Sequence, residues 1–319
     1  MNRINPVLLT CLCSLLSYGQ ILVNDVVGQS GDEIANPDIT INHTSGELVS
    51  STINNTQITL TQGFQQTAQL LYISPRAMLQ GASVESTLGS MRDDLRIGNY
   101  LPNISPDNNA IKSSSDAFSV ANENAIVDWV MVKLRNSNNK VISEKPALIQ
   151  KDGDVVSADG VSALQFTAQN NEYHIEINHR NHLGIMTKNT LTLSSITKFV
   201  DFTDASVLTY GNFARVHLGN GFMALWAGDA NNDHSVRYAG TSPDPASILA
   251  YVLNSPQNFL NLSSFPISGY SNLDVDMNGF VQYTGINPDT PLILQNVLSY
   301  PGNFLGLSTW PIQEQLPSN

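Results

Sequence analysis

Two acidic segments in the last third of the chain repeat one ligand pattern. Asp229, Asn231 and Asp233 carry side-chain oxygens at alternate residues and are followed by His234, Ser235 and Val236. Asp274, Asp276 and Asn278 do the same and are followed by Gly279, Phe280 and Val281. Oxygen donors at loop positions 1, 3 and 5, a main-chain carbonyl at 7 and an apolar residue at 8 suit a hard cation taking roughly 6–8 oxygen ligands. The expected ion is Ca2+, one per loop, with the carbonyls of Ser235 and Phe280 in the seventh position. Position 6 must turn sharply. Gly279 does so freely, whereas His234 enters the left-handed region at some cost. The second loop is therefore expected to bind more tightly.

The two loops open an imperfect tandem repeat with a constant offset of 45 residues, and about 18 of roughly 39 aligned positions are identical. Position 12, where a calcium loop usually carries a bidentate acid, holds Gly240 and Gly285. The next acids are Asp244 and Asp289, again at matching positions. They are expected to close a lengthened coordination shell. The competing reading is an N-cap, because each stands at a helix start beside a proline. After them, Ile248, Leu249, Val252 and Leu253 match Ile293, Leu294, Val297 and Leu298. That spacing predicts two short helices with one apolar face each, stopped at Pro256 and Pro301. Such short helices do not persist alone, so the copies are expected to lean on each other.

Other groups are weaker. Asp152, Asp154 and Asp159 lie close in sequence, but Asp-Gly turns between strands need no metal. His179-Arg180-Asn181-His182 has two histidines without a third ligand nearby, and reads as a solvated or hydrogen-bonded turn. Met91 to Arg96 reads as a salt-bridged segment. A hydrolase using His179 or the Asp152 cluster, and a carbohydrate-binding module presenting Trp226 and Trp310, are the alternatives to a non-catalytic protein. There is no nucleophile elbow, P-loop or dinucleotide fingerprint.

The chain opens with Arg3 and an apolar stretch from Val7 to Tyr18, then Ser17 and Gly19 before a cut near Gln20. This reads as a signal peptide over 1–20 and implies a secreted or cell-surface location. No later run is long enough to span a bilayer. Thr10 is a poor neighbour for lipid attachment at Cys11 or Cys13, and those are the chain's two cysteines, so a mature product would hold no disulfide. The 319 residues carry 15 basic and 27 acidic side chains, a formal charge of −12. That balance opposes nucleic-acid binding and suits a chain that recruits cations.

Between signal and repeats, apolar alternation bounded by Asn, Ser and Gly predicts strands. A hairpin segment is expected over 21–69 and an antiparallel β-sandwich over 70–216, with the α-containing repeat module over 217–319 (repeats about 229–267 and 274–312). Trp129 is expected in the core. In Tyr173 to Ile177, residues 173, 175 and 177 should face inward, and His174 and Glu176 should face solvent.

Three stretches carry family likeness. Ser45-Gly46-Glu47 with Leu60-Thr-Gln-Gly-Phe-Gln-Gln66 resembles a recurrent N-terminal segment of exported Bacteroidota proteins. Asp229, Asn231, Asp233 and Asp274, Asp276, Asn278, Gly279 resemble the duplicated loops of type I dockerin modules. His234 and the absent twelfth-position acids depart from that pattern. A larger set is similar to exported Bacteroidota proteins described as hemagglutinin-like. It comprises Met91 to Leu95, Val127 to Val130, Leu148 to Val156, His179 to Gly184, Leu225 to Asp229 and Glu314 to Pro317. These resemblances imply a secreted or surface protein of adhesion or assembly, whose partner is an extracellular protein or glycan.

Overall fold

The computed structural model describes residues 30–35, 40–45, 53–54, 59–60, 69–107, 110–168 and 171–317. The expected signal peptide, 1–20, lies outside them. Two compact units divide between Thr67 and Ala68. In the first, β1 (Ser30–Ala35) pairs antiparallel with β2 (Thr40–Ser45), and β3 (Ile53–Asn54) with β4 (Thr59–Leu60).

The second unit begins with β5 (Gln69–Arg76), α1 (Gln80–Ser83) and α2 (Asp94–Ile97). Strands β6 (Ile126–Arg135), β7 (Val141–Gln150), β8 (Val155–Val156), β9 (Leu164–Ala168), β10 (Glu172–His179), β11 (His182–Met186) and β12 (Leu191–Thr192) follow. Then come β13 (Lys198–Asp201), β14 (Arg215–Gly219) and β15 (Phe222–Leu225). The repeats supply β16 (Ser235–Val236), α3 (Asp244–Asn254), β17 (Ile267–Ser268), β18 (Phe280–Val281), α4 (Thr290–Ser299) and β19 (Ile312–Gln313).

The chain is mainly β, with several antiparallel sheets. The largest has the order β11-β10-β6-β7-β8, with β12 added to β10. Its centre is β6, rich in the β-branched residues that fit a pleated surface. Strand β7 runs unbroken from Val141 to Gln150. Pro146 is tolerated inside it because β8 covers only Leu148 and Ile149, leaving the proline on an open edge. A smaller sheet has the order β13-β5-β9, and there β13 runs parallel to β5.

Strand β10 departs from the expected alternation. Tyr173, Ile175 and Ile177 are buried, but so are His174 and Glu176. Glu176 is ion-paired with Arg135 of β6 and with Lys133 (3.5 Å), and His174 Nδ1 lies 3.0 Å from the Thr187 carbonyl. Both faces of the strand are covered, so polar residues enter the interior with partners.

The boundary expected at 216/217 falls inside β14, which pairs with β15. One apolar core runs without a break from Leu71 to Ile312 and includes Trp129 as expected. Within the repeats, the strand after each helix crosses to the other copy's loop. Val236 pairs with Ile312, and Val281 with Ile267. This reciprocal exchange, with α3 against α4, is an internal two-fold arrangement. The buried helix faces are narrower than predicted. Ile248, Val252, Ile293 and Val297 are fully buried, whereas Leu298 is 43% exposed.

Candidate metal centre

Each loop folds around two carboxylates. In the second, Asp274 accepts the N–H groups of Asn278 (3.1 Å) and Gly279 (2.9 Å) on its two oxygens. Asp289 accepts those of Val275 (2.6 Å) and Gln282 (2.8 Å). The first loop repeats this pattern at the matching positions. Asp229 takes the N–H groups of Asp233 and His234, and Asp244 those of Ala230 and Arg237. Asp289 occupies the N-cap position of α4, but neither its side chain nor that of Asp244 makes a capping bond to its own helix; both reach back into the loop. A carboxylate oxygen has two lone pairs, so an oxygen with one N–H bond keeps acceptor capacity; Asp244 Oδ1 takes two, from Ala230 (2.8 Å) and Asn231 (3.2 Å).

Asp274, Asp276 and Asp289 bring ligand oxygens within 4.8 Å of one another. Asp274 and Asp289 are fully buried. Burial pushes Asp274 up to about 8, with the charge of Asp276 adding to the shift and Arg180 opposing it. Burial likewise raises Asp276, and raises Asp289 well above the usual carboxylate range. Three acids held together at this depth lack a full counter-charge, which is the condition a hard divalent cation relieves. The donor set therefore fits such an ion. Asp274, Asp276, Asp289 and the side-chain oxygen of Asn278 would hold it, with the main chain of Phe280 at the start of β18.

The first loop is less acidic at its centre. The matching trio is Asp229, Asn231 and Asp244, and the third acid, Asp233, is drawn to Arg237 Nη1 at 3.1 Å. Burial raises Asp229 to about 6 and Asp244 to about 7. Ser235 sits on β16, and its hydroxyl accepts from Gln313 Nε2 (3.0 Å). Both sixth positions are left-handed, with φ of 62° at His234 and 88° at Gly279.

No known family, curated protein or solved structure matches the chain.

The second loop is seated on the β-rich body by residues the spacing did not single out as site residues. Asn181 Nδ2 donates to the Asp274 carbonyl (2.6 Å), and Arg180 donates to the Ser271 carbonyl. Arg92 reaches the Asp276 carbonyl (2.5 Å) as well as Asp94 (2.7 Å). A Cβ at Gly81 would overlap the main-chain oxygen of Val275. The salt-bridged segment expected at 91–96 is present, but its first arginine also serves the loop.

The turn His179 to His182 is hydrogen-bonded and interior. Asp128, wholly buried, accepts from His179 Nε2 (3.0 Å), Arg180 Nε (3.0 Å) and the Tyr270 hydroxyl (2.7 Å). Burial alone would raise Asp128, but the Arg180 charge and these bonds hold it at about 2. The Gly81 N–H donates to His182 Nε2 (3.0 Å), which places that ring's proton on Nδ1. Nδ1 faces Asn181 Oδ1 (2.8 Å) and His179 Nδ1 (2.9 Å). His179 then carries its proton on Nε2, toward Asp128. Burial lowers the pKa of both rings, so each stays neutral. The His179 side chain has no exposed surface.

The remaining candidates fall elsewhere. Asp154 faces Arg76 at 3.9 Å, Asp152 closes its own turn onto the Asp154 N–H, and Asp159 accepts the N–H groups of Val161 and Ser162. Trp226 is buried, and its indole donates to the Phe213 carbonyl (2.9 Å). It offers no sugar platform. Among the described residues no helix is long and apolar enough to cross a membrane.

Proposed function

We propose that this is an exported, non-catalytic adhesion or assembly protein whose terminal repeats are dockerin-like and held by Ca2+. In this reading the antiparallel sheets of 70–216 form a sandwich that presents the molecule, and its partner is an extracellular protein or glycan. The convergence of Asp274, Asp276 and Asp289 within 4.8 Å, in a loop whose fold repeats at Asp229, carries the calcium assignment. The resemblance to exported hemagglutinin-like proteins supports the location and class. Bound calcium would neutralise the loops and lock strands β16 to β19, so its chemistry here is structural. An ion that binds only the folded loops stabilises the whole unit through linkage.

The test is calcium titration by calorimetry, with melting curves in calcium and in chelator. Two binding events and a calcium-dependent rise in melting temperature are expected. Asp274→Ala should reduce that rise, and Asp152→Ala should leave it intact. Absence of both heat and melting shift would remove the metal from the reading.

A further inference from the structure

Asn278 and Gly279 form one of the two Asn-Gly pairs in the chain; the other is Asn220-Gly221. Asparagine before glycine carries an internal reaction. The main-chain nitrogen of the glycine can attack the side-chain carbonyl carbon of the asparagine, and no Cβ crowds the approach. The two pairs have different surroundings. Asn220 and Gly221 are exposed in the tight turn between β14 and β15, with φ of 47° and 84°. Asn278 is half-buried, and each group that the reaction uses is met by a partner.

The nitrogen that attacks carries the Gly279 N–H, which donates to Asp274 Oδ2 (2.9 Å). That lies within the reach of a general base, about 2.6–3.2 Å. The nitrogen that must leave, Asn278 Nδ2, donates to Asp276 Oδ2 (2.9 Å). The amide oxygen, Asn278 Oδ1, accepts the Phe280 N–H (2.8 Å). This donor stands where negative charge develops as the carbon becomes tetrahedral. Asp274 and Asp276 bring oxygens within 4.8 Å of each other, so a proton taken at one end of the reacting pair has a short path to the other.

We infer that the ion-free second loop is a self-modification site, at which Asn278 closes onto the Gly279 nitrogen and is converted to an acidic residue. The bond formed joins Gly279 N to Asn278 Cγ, and the bond broken is Cγ–Nδ2. The proton of the Gly279 nitrogen passes through the two carboxylates to the departing nitrogen, which leaves as ammonia. Water then opens the cyclic imide. Attack of water at Cγ gives aspartate; attack at the main-chain carbonyl gives isoaspartate, with the chain rerouted through the side chain.

The first copy carries Asp233 at the matching position, followed by His234 in place of glycine. The aspartate product therefore gives the second loop a carboxylate that the first already has. A further acid beside Asp274, Asp276 and Asp289 favours a divalent ion through ligand charge. The isoaspartate product lengthens the main chain at the sharp turn and displaces the donors. Bound calcium would engage the oxygens of Asp274 and Asp276 and so withdraw the base. These consequences for the ion rest on the calcium reading; the reaction itself does not.

Incubation of the full chain in chelator, in saturating calcium and in urea, followed by mass-spectrometric peptide mapping, tests the reaction. Unfolded in urea, the two Asn-Gly pairs should convert at similar rates. Folded in chelator, Asn278 should convert about tenfold faster than in urea, and Asn220 should show no such gain. Calcium should slow Asn278 and leave Asn220 unchanged. Asp274→Asn should slow Asn278 in chelator by about tenfold, whereas an unaided Asn-Gly pair would speed up as the loop loosens. The comparison with urea uses the unaltered chain, so a folding defect in the variant does not decide the outcome. Asn278 converting no faster folded than in urea would overturn the inference, as would faster conversion in Asp274→Asn. A heat of calcium binding alongside that result would leave the calcium reading standing. Fast conversion in chelator that calcium does not slow would keep this site and count against the ion.

Discussion

The side-chain amide of Asn181 donates to the main-chain carbonyl of Asp274 at 2.6 Å. The turn between β10 and β11 thus holds the residue that opens the second acidic loop, and holds it by its backbone. Arg180, one residue earlier, holds Ser271, and its partner Asp128 also takes the Tyr270 hydroxyl. The first loop is tied differently: Asn272 Nδ2 donates to the Ala230 carbonyl (2.7 Å), and the Gly228 N–H just before Asp229 donates to the main-chain carbonyl of Asn181 (3.0 Å). Two loops of one design therefore differ in which atoms of the body organise them, and the Asn181 side chain serves the second.

Asn181→Ala should expose that difference. It removes the donor from a buried carbonyl, a loss of about 1–3 kcal/mol. For a unit of this size that corresponds to roughly 2–12 °C in melting temperature at about 2–4 °C per kcal/mol. Calcium affinity should fall at the tighter of two calorimetric sites and hold at the weaker. Equal weakening of both sites would contradict the assignment of Asn181 to the second loop.

Gly81→Ala offers a sign test. Gly81 lies in α1, where alanine is ordinarily favoured by about 1 kcal/mol. Its Cβ would overlap the Val275 carbonyl oxygen, which belongs to the second loop's backbone. We expect a net destabilisation of about 1–3 kcal/mol, typical of overpacking, read by chemical denaturation. A stabilised variant would show that the loop moves aside freely.

The clustering of Asp274 and Asp276 was legible in the sequence because side-chain oxygens at fixed spacing are a local signal, doubled by the repeat. The left-handed turns at His234 and Gly279 followed from the same positions. Strands β5 to β10 were legible too, through alternation and β-branched residues, whereas β11 and β13 to β15 were not. The support for the loops was not. Asn181, Arg92 and Gly81 act on main-chain atoms of residues 93, 184 and 194 positions away, and no local pattern encodes such a pairing. Alternation also misled at Glu176, because it assumes one wet face, and here Arg135 and Lys133 occupy that face. The N-cap reading held in position for Asp289 but not in bonding for either acid, for a related reason: loop N–H groups take the oxygens of Asp244 and Asp289.

The calcium-free chain should lose stability as the pH rises through neutrality. Folding raises Asp229 to about 6, Asp244 to about 7 and Asp274 to about 8, against about 4 in the unfolded chain. The fold keeps protons that the unfolded chain has released, so this stability is complete below about pH 4 and is lost as the pH passes through the raised values. Asp128 acts in the opposite sense. Held at about 2, it contributes above about pH 4 and stops contributing as the pH falls through about 2. In chelator the melting temperature should be higher at pH 5 than at pH 8. Saturating calcium should remove or invert that difference, because the ion takes the carboxylate form. Calorimetric scans at both pH values decide it, and a rise from pH 5 to pH 8 in chelator would count against the burial of these acids.

His234→Gly should improve the first loop. At φ 62° a histidine pays about 1 kcal/mol that glycine does not. The substitution also removes the contact of His234 Nδ1 with Glu314 (3.0 Å). With the His234 side chain 67% exposed, that contact is worth less than about 1 kcal/mol. A small gain in melting temperature and a tighter weak site are the expected readings. Glu314→Gln alone, which keeps the left-handed histidine, should give no gain.

The two loops differ at their third position, Asn231 against Asp276, and exchanging these residues should exchange their behaviour. Asp276→Asn removes one of three acids clustered within 4.8 Å, so the calcium-free chain should melt higher at pH 8 while the second site weakens. Asn231→Asp adds a charge between Asp229 and Asp244, whose burial already raises both. It should lower the calcium-free melting temperature and tighten the first site. Each change is expected to move affinity on the order of tenfold, about 1.4 kcal/mol, because ligand charge count tunes such loops. The opposite signs in chelator and in calcium separate this from ordinary loss of packing, which lowers stability in both. Calorimetric titration beside paired melting curves reads all four signs, and a variant that loses stability in both conditions would place position 3 outside the ion's shell.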